Sequence, residues 1–268
     1  MSPDPPVFAG IDTTVPHSAR RYNYWLGGKD HFAVDRESGE QMAAVFPTAR
    51  VWAVQNRAYL RRVVTYLARE AGIRQFLDVG TGLPTADNTH EVAQRIAPES
   101  RVVYVDNDPL VMTHARALLT STRQGLTSYL EADLRNPAVI LEQARETLDF
   151  SQPVALMLIA VLHFVPDAKA DSYAVVRTLV EALPAGSYLA ISHGSADYLP
   201  APTAATLEAM ARAGGEFQLR SASELARYFD GMSLVDPGIA VISEWRPLDD
   251  DRPDPADVAC LGAVARVG

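Results

Sequence analysis

Three aspartates and two glycines carry the densest chemistry in this sequence. In "QFLDVGTGLPTADNTHEVAQ" an apolar run ends in Asp78, and Gly80-Thr81-Gly82 follows. Gly80 and Gly82 can take dihedrals closed to other residues and have no Cβ, so a ligand can approach the backbone there. The next apolar run, "VVYVDNDP", ends in Asp106 with Asn107 beside it. An acid at the tip of a second strand can accept both hydroxyls of a ribose. Facing an open cleft, it is expected to matter little for stability. Asp108 directly precedes Pro109 and suits a helix N-cap instead. A third run, "SYLEADLRNP", ends in Asp133 and Leu134. There an acid can accept from an adenine amino group while the apolar neighbour packs on the ring.

The loop excludes some ligands. No Gly-Lys-Ser/Thr follows, so it is not a P-loop. A dinucleotide fingerprint needs a third glycine to seat a pyrophosphate on the helix N-terminus, and Thr85 stands at that position. Three acids at three successive strand tips, without a phosphate loop, fit S-adenosylmethionine, which offers a cationic amino-acid end, a ribose and an adenine. Thr81 and Leu83 in the loop and Ala160 after the fourth strand join the expected cofactor-binding set.

These residues must be held by an alternating array. "QFLDVG", "RVVYVDN", "TSYLEADL", "PVALMLIAV" and "GSYLAISHG" read as strands, and helical stretches separate them. Near-continuous Val/Ile/Leu strands predict a mostly parallel sheet with helices on both faces. Asn136 is expected to cap the helix that begins at Pro137. "MSLVDPGIAVISEWRP" and "VACLGAVARV" read as two closing strands, seven in all, with an antiparallel last strand. Upstream, Trp52, Tyr59, Val63, Tyr66 and Leu67 recur at intervals that predict an amphipathic helix from Arg50 to Glu70, stopped by Gly72. Gly27-Gly28 interrupts the aromatic-rich segment before it. Arg57, Arg61 and Arg62 on adjacent turns fit a solvated helix face.

The chain from about His17 resembles the actinobacterial S-adenosyl methyltransferase family, formerly a domain of unknown function. The stretches that carry the resemblance are "RYNYWLGGKDHF", "FLDVGTGLPTADNTHEVAQ", "VVYVDNDPLVMTHARALL" and "EADLRNP". It implies the Rossmann-like class I methyltransferase fold and S-adenosylmethionine as cofactor, with the acceptor left open. Pro84, in place of a third glycine of the broader class, is in keeping with this family. Residues 1–16 read as a flexible tail, 17–72 as an N-terminal helical lid and 73–268 as the cofactor-binding domain. In the lid, Tyr22 or Asn23 is expected to touch the cofactor, an aromatic face near a sulfonium being favourable.

Methyl transfer from a sulfonium needs alignment first and, for a hydroxyl or protonated amine, a base. His163, in the exit loop of the fourth strand, is the best-placed candidate. His193 and His31, with Asp30 beside it, are others. Two alternatives remain at this stage: a protein that binds S-adenosylmethionine without turnover, and an NAD-dependent oxidoreductase.

Composition bounds the rest. The chain has 268 residues, a net charge of −9 and 48% hydrophobic residues. An acidic globular protein of this length disfavours nucleic acid or an anionic membrane as partner. Cys260 is the single cysteine and lies in an apolar run, so it reads as a buried structural thiol. No His, Asp and Glu spacing suggests a metal. The absence of a secretory pattern at the N-terminus leads to the expectation of a cytoplasmic protein acting on a small molecule.

Overall fold

A computed structural model describes residues 12–118, 121–214, 217–248 and 252–268. Five parallel strands form the spine: β1 Gln75–Val79, β2 Arg101–Asp106, β3 Leu126–Glu131, β4 Ala155–Ile159 and β5 Tyr188–Gly194. Every residue of β1, β4 and β5 is buried, as expected of strands covered on both faces. The sheet order is β3-β2-β1-β4-β5, so the chain reverses its direction of travel between β1 and β4. Open parallel sheets bind ligands at the carboxyl edge of such a switch.

The edge beyond β5 differs from expectation in one respect. The last strand, β8 Cys260–Arg266, runs antiparallel to β5 as expected. The single strand expected before it is split into β6 Ser233–Leu234 and β7 Ala240–Val241, and both pair with β8. Counted as strands the sheet has eight, but the two fragments share one place in it. Pro237 lies between them without an N–H to give a ladder, and Gly238 turns the chain at φ +84°.

Helices α1 Ser18–Trp25, α2 Ala33–Val45 and α3 Ala49–Arg69 precede the sheet. The α1 helix ends just before Gly27, whose φ of +78° a side chain would resist. The α3 helix packs deeply, with Tyr59, Val63, Val64 and Leu67 in the core and the Tyr59 hydroxyl donating to the Ile191 carbonyl. Its arginines are not merely solvated. Arg57 donates to the Ala86 and Asp87 carbonyls, and Arg62 to those of Trp245 and Ile242. Between strands run α4 Thr89–Ile96, α5 Pro109–Leu118, α6 Pro137–Ala144 and α7 Ser172–Glu181; α8 Ala201–Gly214, α9 Ala222–Ala226 and α10 Pro255–Val258 follow β5. Asn136 occupies the N-cap position of α6, but its side chain makes no capping bond. Cys260 is buried, and burial pushes its thiol up to about 12.

The expected tail falls mainly on residues 1–11, outside the described residues. Residues 12–16 are tied in, since the Asp12 carbonyl accepts from Arg20. No described helix is long and apolar enough to cross a membrane.

Candidate functional site

A cavity of about 340 Å³ opens at the carboxyl ends of β1, β2, β3 and β4, within the range of small-molecule sites. Its floor is the loop after β1. Gly80 donates to the Val105 carbonyl, and Thr81 Oγ1 donates to the Asp78 carbonyl at 3.0 Å. The three acids converge here, each in a different state. Asp78 is buried and accepts from Thr89 Oγ1 at 2.6 Å. Burial raises its pKa to about 6, against the lowering effects of the Thr89 bond and the Arg57 charge. Asp106 is only 7% exposed, because its oxygens accept from the backbone N–H groups of Gly82 and Asp108 at 2.8 and 3.0 Å. Burial raises its pKa as well. The expectation of an exposed acid without structural work therefore fails: Asp106 ties the glycine loop to the start of α5. Asp133 is the most open, is held in a fork by Arg135 and has its pKa lowered mainly by that partner.

Asp108 does cap α5, accepting from the Leu110 N–H at 2.9 Å. It also meets Arg20 Nε at 3.4 Å and His17 Nδ1 at 3.1 Å, which fastens α1 to the second strand's exit.

The comparisons bear on what this cavity is for. Residues 7–268 match a family described as S-adenosyl methyltransferase. The chain belongs to that family. A DUF574 family protein from Streptomyces avermitilis is 47% identical, with a TM-score of 0.90, covering 96% of this chain and 99% of its own. A structure from Thermobifida fusca, ascribed to the methyltransferases, is 39% identical with a TM-score of 0.87 and covers 98% and 99%. An O-methyltransferase family protein from Burkholderia thailandensis, at 15% identity and a TM-score of 0.51, covers 82% of this chain and 60% of its own and shares the fold alone. No curated protein sequence matches. The protein is thus an S-adenosylmethionine-dependent methyltransferase of Rossmann-like class I fold, as the strand-tip acids suggested.

The methyltransferase's cavity brings together Tyr22, Asp78, Gly80, Thr81, Gly82, Asp106, Asn107, Asp133, Leu134, Ala160 and His163. Other expected residues are placed elsewhere. Asn23 is buried in the last turn of α1, its side chain directed at the segment that follows, where its Oδ1 accepts from the Asp30 N–H and lies 3.2 Å from His31 Nδ1. His31 stays with that turn, against the Tyr24 ring. Leu83 turns away into a small apolar cluster with Leu110, Val111 and Met112. His193 is unsuited to be a base. Its Nδ1 faces the Gly194 carbonyl, Arg220 points at its Nε2 at 3.0 Å, and burial brings its pKa to about 3.

Several site residues escaped the sequence reading. Asn56 donates to the Tyr22 hydroxyl and accepts from Ser192 Oγ at 2.5 Å, and Ser192 Oγ in turn accepts from the Ala160 N–H. This chain links α1 to the exit of β4, where Ala160 holds a φ of +55°. Its signal was present: Asn56 is a polar residue on the apolar face of α3, between Ala53 and Leu60. Among the described residues no cluster of His, Cys, Asp and Glu could hold a metal.

Proposed function

We propose that Asp78 receives the ammonium of S-adenosylmethionine, Asp106 the ribose hydroxyls, and Asp133 with Leu134 the adenine, while α1 and the turn after it close over the cofactor. The observation that carries this reading is the convergence of three strand-tip carboxylates, in strand order, on one cavity. The turn into α4 supports it further. That helix begins only at Thr89, whose hydroxyl serves Asp78, and the Asn88 and His90 N–H groups already bond to Glu91 and Tyr104. A pyrophosphate would find its usual donors taken. Calorimetry is expected to show binding of S-adenosylmethionine and S-adenosylhomocysteine and none of NAD. Micromolar NAD binding with no heat from S-adenosylmethionine would refute the assignment.

An Asp78 role at the ammonium has a pH signature. A carboxyl with a folded pKa near 6, above its unfolded value of 3.8, holds its proton more tightly when folded. Its contribution to stability therefore falls as pH rises through that window. A cationic ligand favours the ionised form, so cofactor affinity should drop by up to roughly tenfold per unit below pH 6, with proton release on binding. Asp78→Asn should bind weakly and lose that slope. A slope unchanged in the variant would assign it elsewhere.

The lid reading rests on Tyr22, Trp25 and Arg21 of α1, which line the cavity. A ring near the sulfonium would contribute about 0.5–2 kcal/mol. Saturating cofactor should protect residues 20–32 from limited proteolysis. An unchanged cleavage pattern would leave α1 as packing only. We further propose a cytoplasmic, actinobacterial enzyme with a small-molecule acceptor and no nucleic-acid partner, supported by the sources of the two similar structures, the small size of the cavity and the net charge of −9.

A further inference from the structure

The cavity has a second half that the cofactor's three acids do not reach. It is walled by Trp25 of α1, Phe46 just after α2, Trp52 of α3, Phe164 after β4, Leu207 of α8, and Phe217. Trp52 is the hub, edge-on to Tyr22, Trp25 and His163 at centroid distances of 5.5, 6.0 and 5.9 Å. Large apolar side chains from six separate segments, turned onto one internal space, make a slot for a flat apolar molecule.

Charge narrows the class. Among the described residues lining the cavity the only carboxylates are Asp78, Asp106 and Asp133, all at the cofactor's strand tips. The aromatic half holds Arg21, which is buried, and Lys169 at the rim. With a cationic sulfonium beside them, these groups oppose an ammonium and favour a neutral or anionic acceptor. No carboxylate there could neutralise a protonated amine.

One group can take a proton. His163 is 6% exposed and lines the cavity, and its buried Nδ1 has no hydrogen-bond partner, whereas both nitrogens of His193 are engaged. It sits in a short 3₁₀ turn, Leu162–Phe164, fixed by the Gln218 N–H donating to its carbonyl.

We propose that this methyltransferase acts on a flat aromatic small molecule, methylating an acidic phenolic or enolic hydroxyl whose proton passes to His163; the proposal rests on the cofactor reading above. The hydroxyl oxygen attacks the methyl carbon, the carbon–sulfur bond breaks with its electrons going to sulfur, and the O–H proton goes to the imidazole. The products are the methyl ether and neutral S-adenosylhomocysteine, and His163 releases the proton to solvent.

The base also selects the hydroxyl. Burial first, then the neighbouring His193, Arg220 and Arg21, hold His163 well below the usual histidine range. It is therefore neutral and ready at neutral pH, but it takes a proton readily only from an acidic donor. A phenol ionises near pH 10, and an aliphatic alcohol is far less acidic.

Three probes of similar shape test this: 2-naphthol, 2-naphthalenemethanol and the 2-naphthalenemethylammonium ion. With S-adenosylhomocysteine-saturated enzyme, 2-naphthol should bind at least tenfold more tightly than the ammonium. Trp52→Ala should weaken 2-naphthol binding at least tenfold. With S-adenosylmethionine, 2-naphthol should yield its methyl ether with equimolar S-adenosylhomocysteine, and the aliphatic alcohol should not react. His163→Gln should lower that turnover by about a hundredfold or more, with S-adenosylhomocysteine affinity and melting temperature little changed. Equal or tighter binding of the ammonium, no binding of 2-naphthol, methylation of the amine or the aliphatic alcohol, or full turnover by His163→Gln would overturn the proposal. If S-adenosylhomocysteine itself fails to bind, the cofactor reading falls instead, so the two failures are distinguishable.

Discussion

Replacing Asp106 by alanine is expected to weaken S-adenosylmethionine binding by roughly tenfold to a few hundredfold. Hydrogen bonds to a charged group contribute about 1.5–3 kcal/mol, and about 1.4 kcal/mol is one decade in Kd. The same change should also cost stability, because the Gly82 and Asp108 N–H groups lose their acceptor. Each unpaired donor costs about 1–3 kcal/mol, offset in part by removing a carboxylate that burial already disfavours as a charge. Asp108→Ala is the matched control and should show the opposite balance. It removes a helix cap, about 0.5–2 kcal/mol, and also deprives buried Arg20 of a carboxylate at 3.4 Å. Breaking a buried pair costs about 3–5 kcal/mol, softened here because Asp35 lies 3.8 Å from the same guanidinium. Asp108→Ala should therefore melt lower than Asp106→Ala while binding cofactor better. Calorimetry and melting curves on both variants decide it. If Asp108→Ala loses the cofactor and Asp106→Ala keeps it, the ribose is not held at Asp106.

The strand tips were legible because their signal is local. A run of buried Val, Ile and Leu ends where a polar residue and a glycine follow, and a parallel sheet brings all such ends to one edge. Side-chain direction was harder. Successive residues of a helix point about 100° apart, and the docking of α1 turned Tyr22 to the cavity and Asn23 away from it. Leu83 was assigned by its place in the loop, yet its side chain is an apolar group that finds better cover under Leu110 and Met112 than at a ligand. The acceptor half of the cavity was not legible at all. Phe46 and Trp52 precede the first strand while Leu207 and Phe217 follow the fifth, and each alone reads as ordinary core. The break between β6 and β7 had a visible cause in Pro237 and Gly238, but the alternating apolar residues around them still read as one strand.

The two loop glycines should respond differently to the same substitution, and this is the second large effect. A Cβ at Gly80 would lie 2.3 and 2.5 Å from Val161 Cγ2 and Cβ, at a φ of +79°. The obstacle is the base of a β-branched side chain rather than a flexible tip, so the exits of β1 and β4 would have to separate. Left-handed strain of about 1–2 kcal/mol adds to overpacking of about 1–3 kcal/mol. At roughly 2–4 °C per kcal/mol, Gly80→Ala should melt about 5–15 °C lower and misplace the His163 turn. At Gly82 nothing lies within 4 Å of a new Cβ, although φ is +68°. Gly82→Ala should cost only the strain, whereas Gly82→Val should keep its fold and exclude the cofactor by filling the cavity wall. Val161→Gly tests the cause, because it removes the three atoms nearest to the new Cβ of Gly80→Ala, all of them in the Val161 side chain. In that background Gly80→Ala should lose only the left-handed penalty, a smaller melting shift than in the wild type. Equal shifts in the two backgrounds would mean that the contact with Val161 does not set the requirement for glycine. A Gly82→Val variant that still binds S-adenosylmethionine normally would remove that residue from the cofactor's wall.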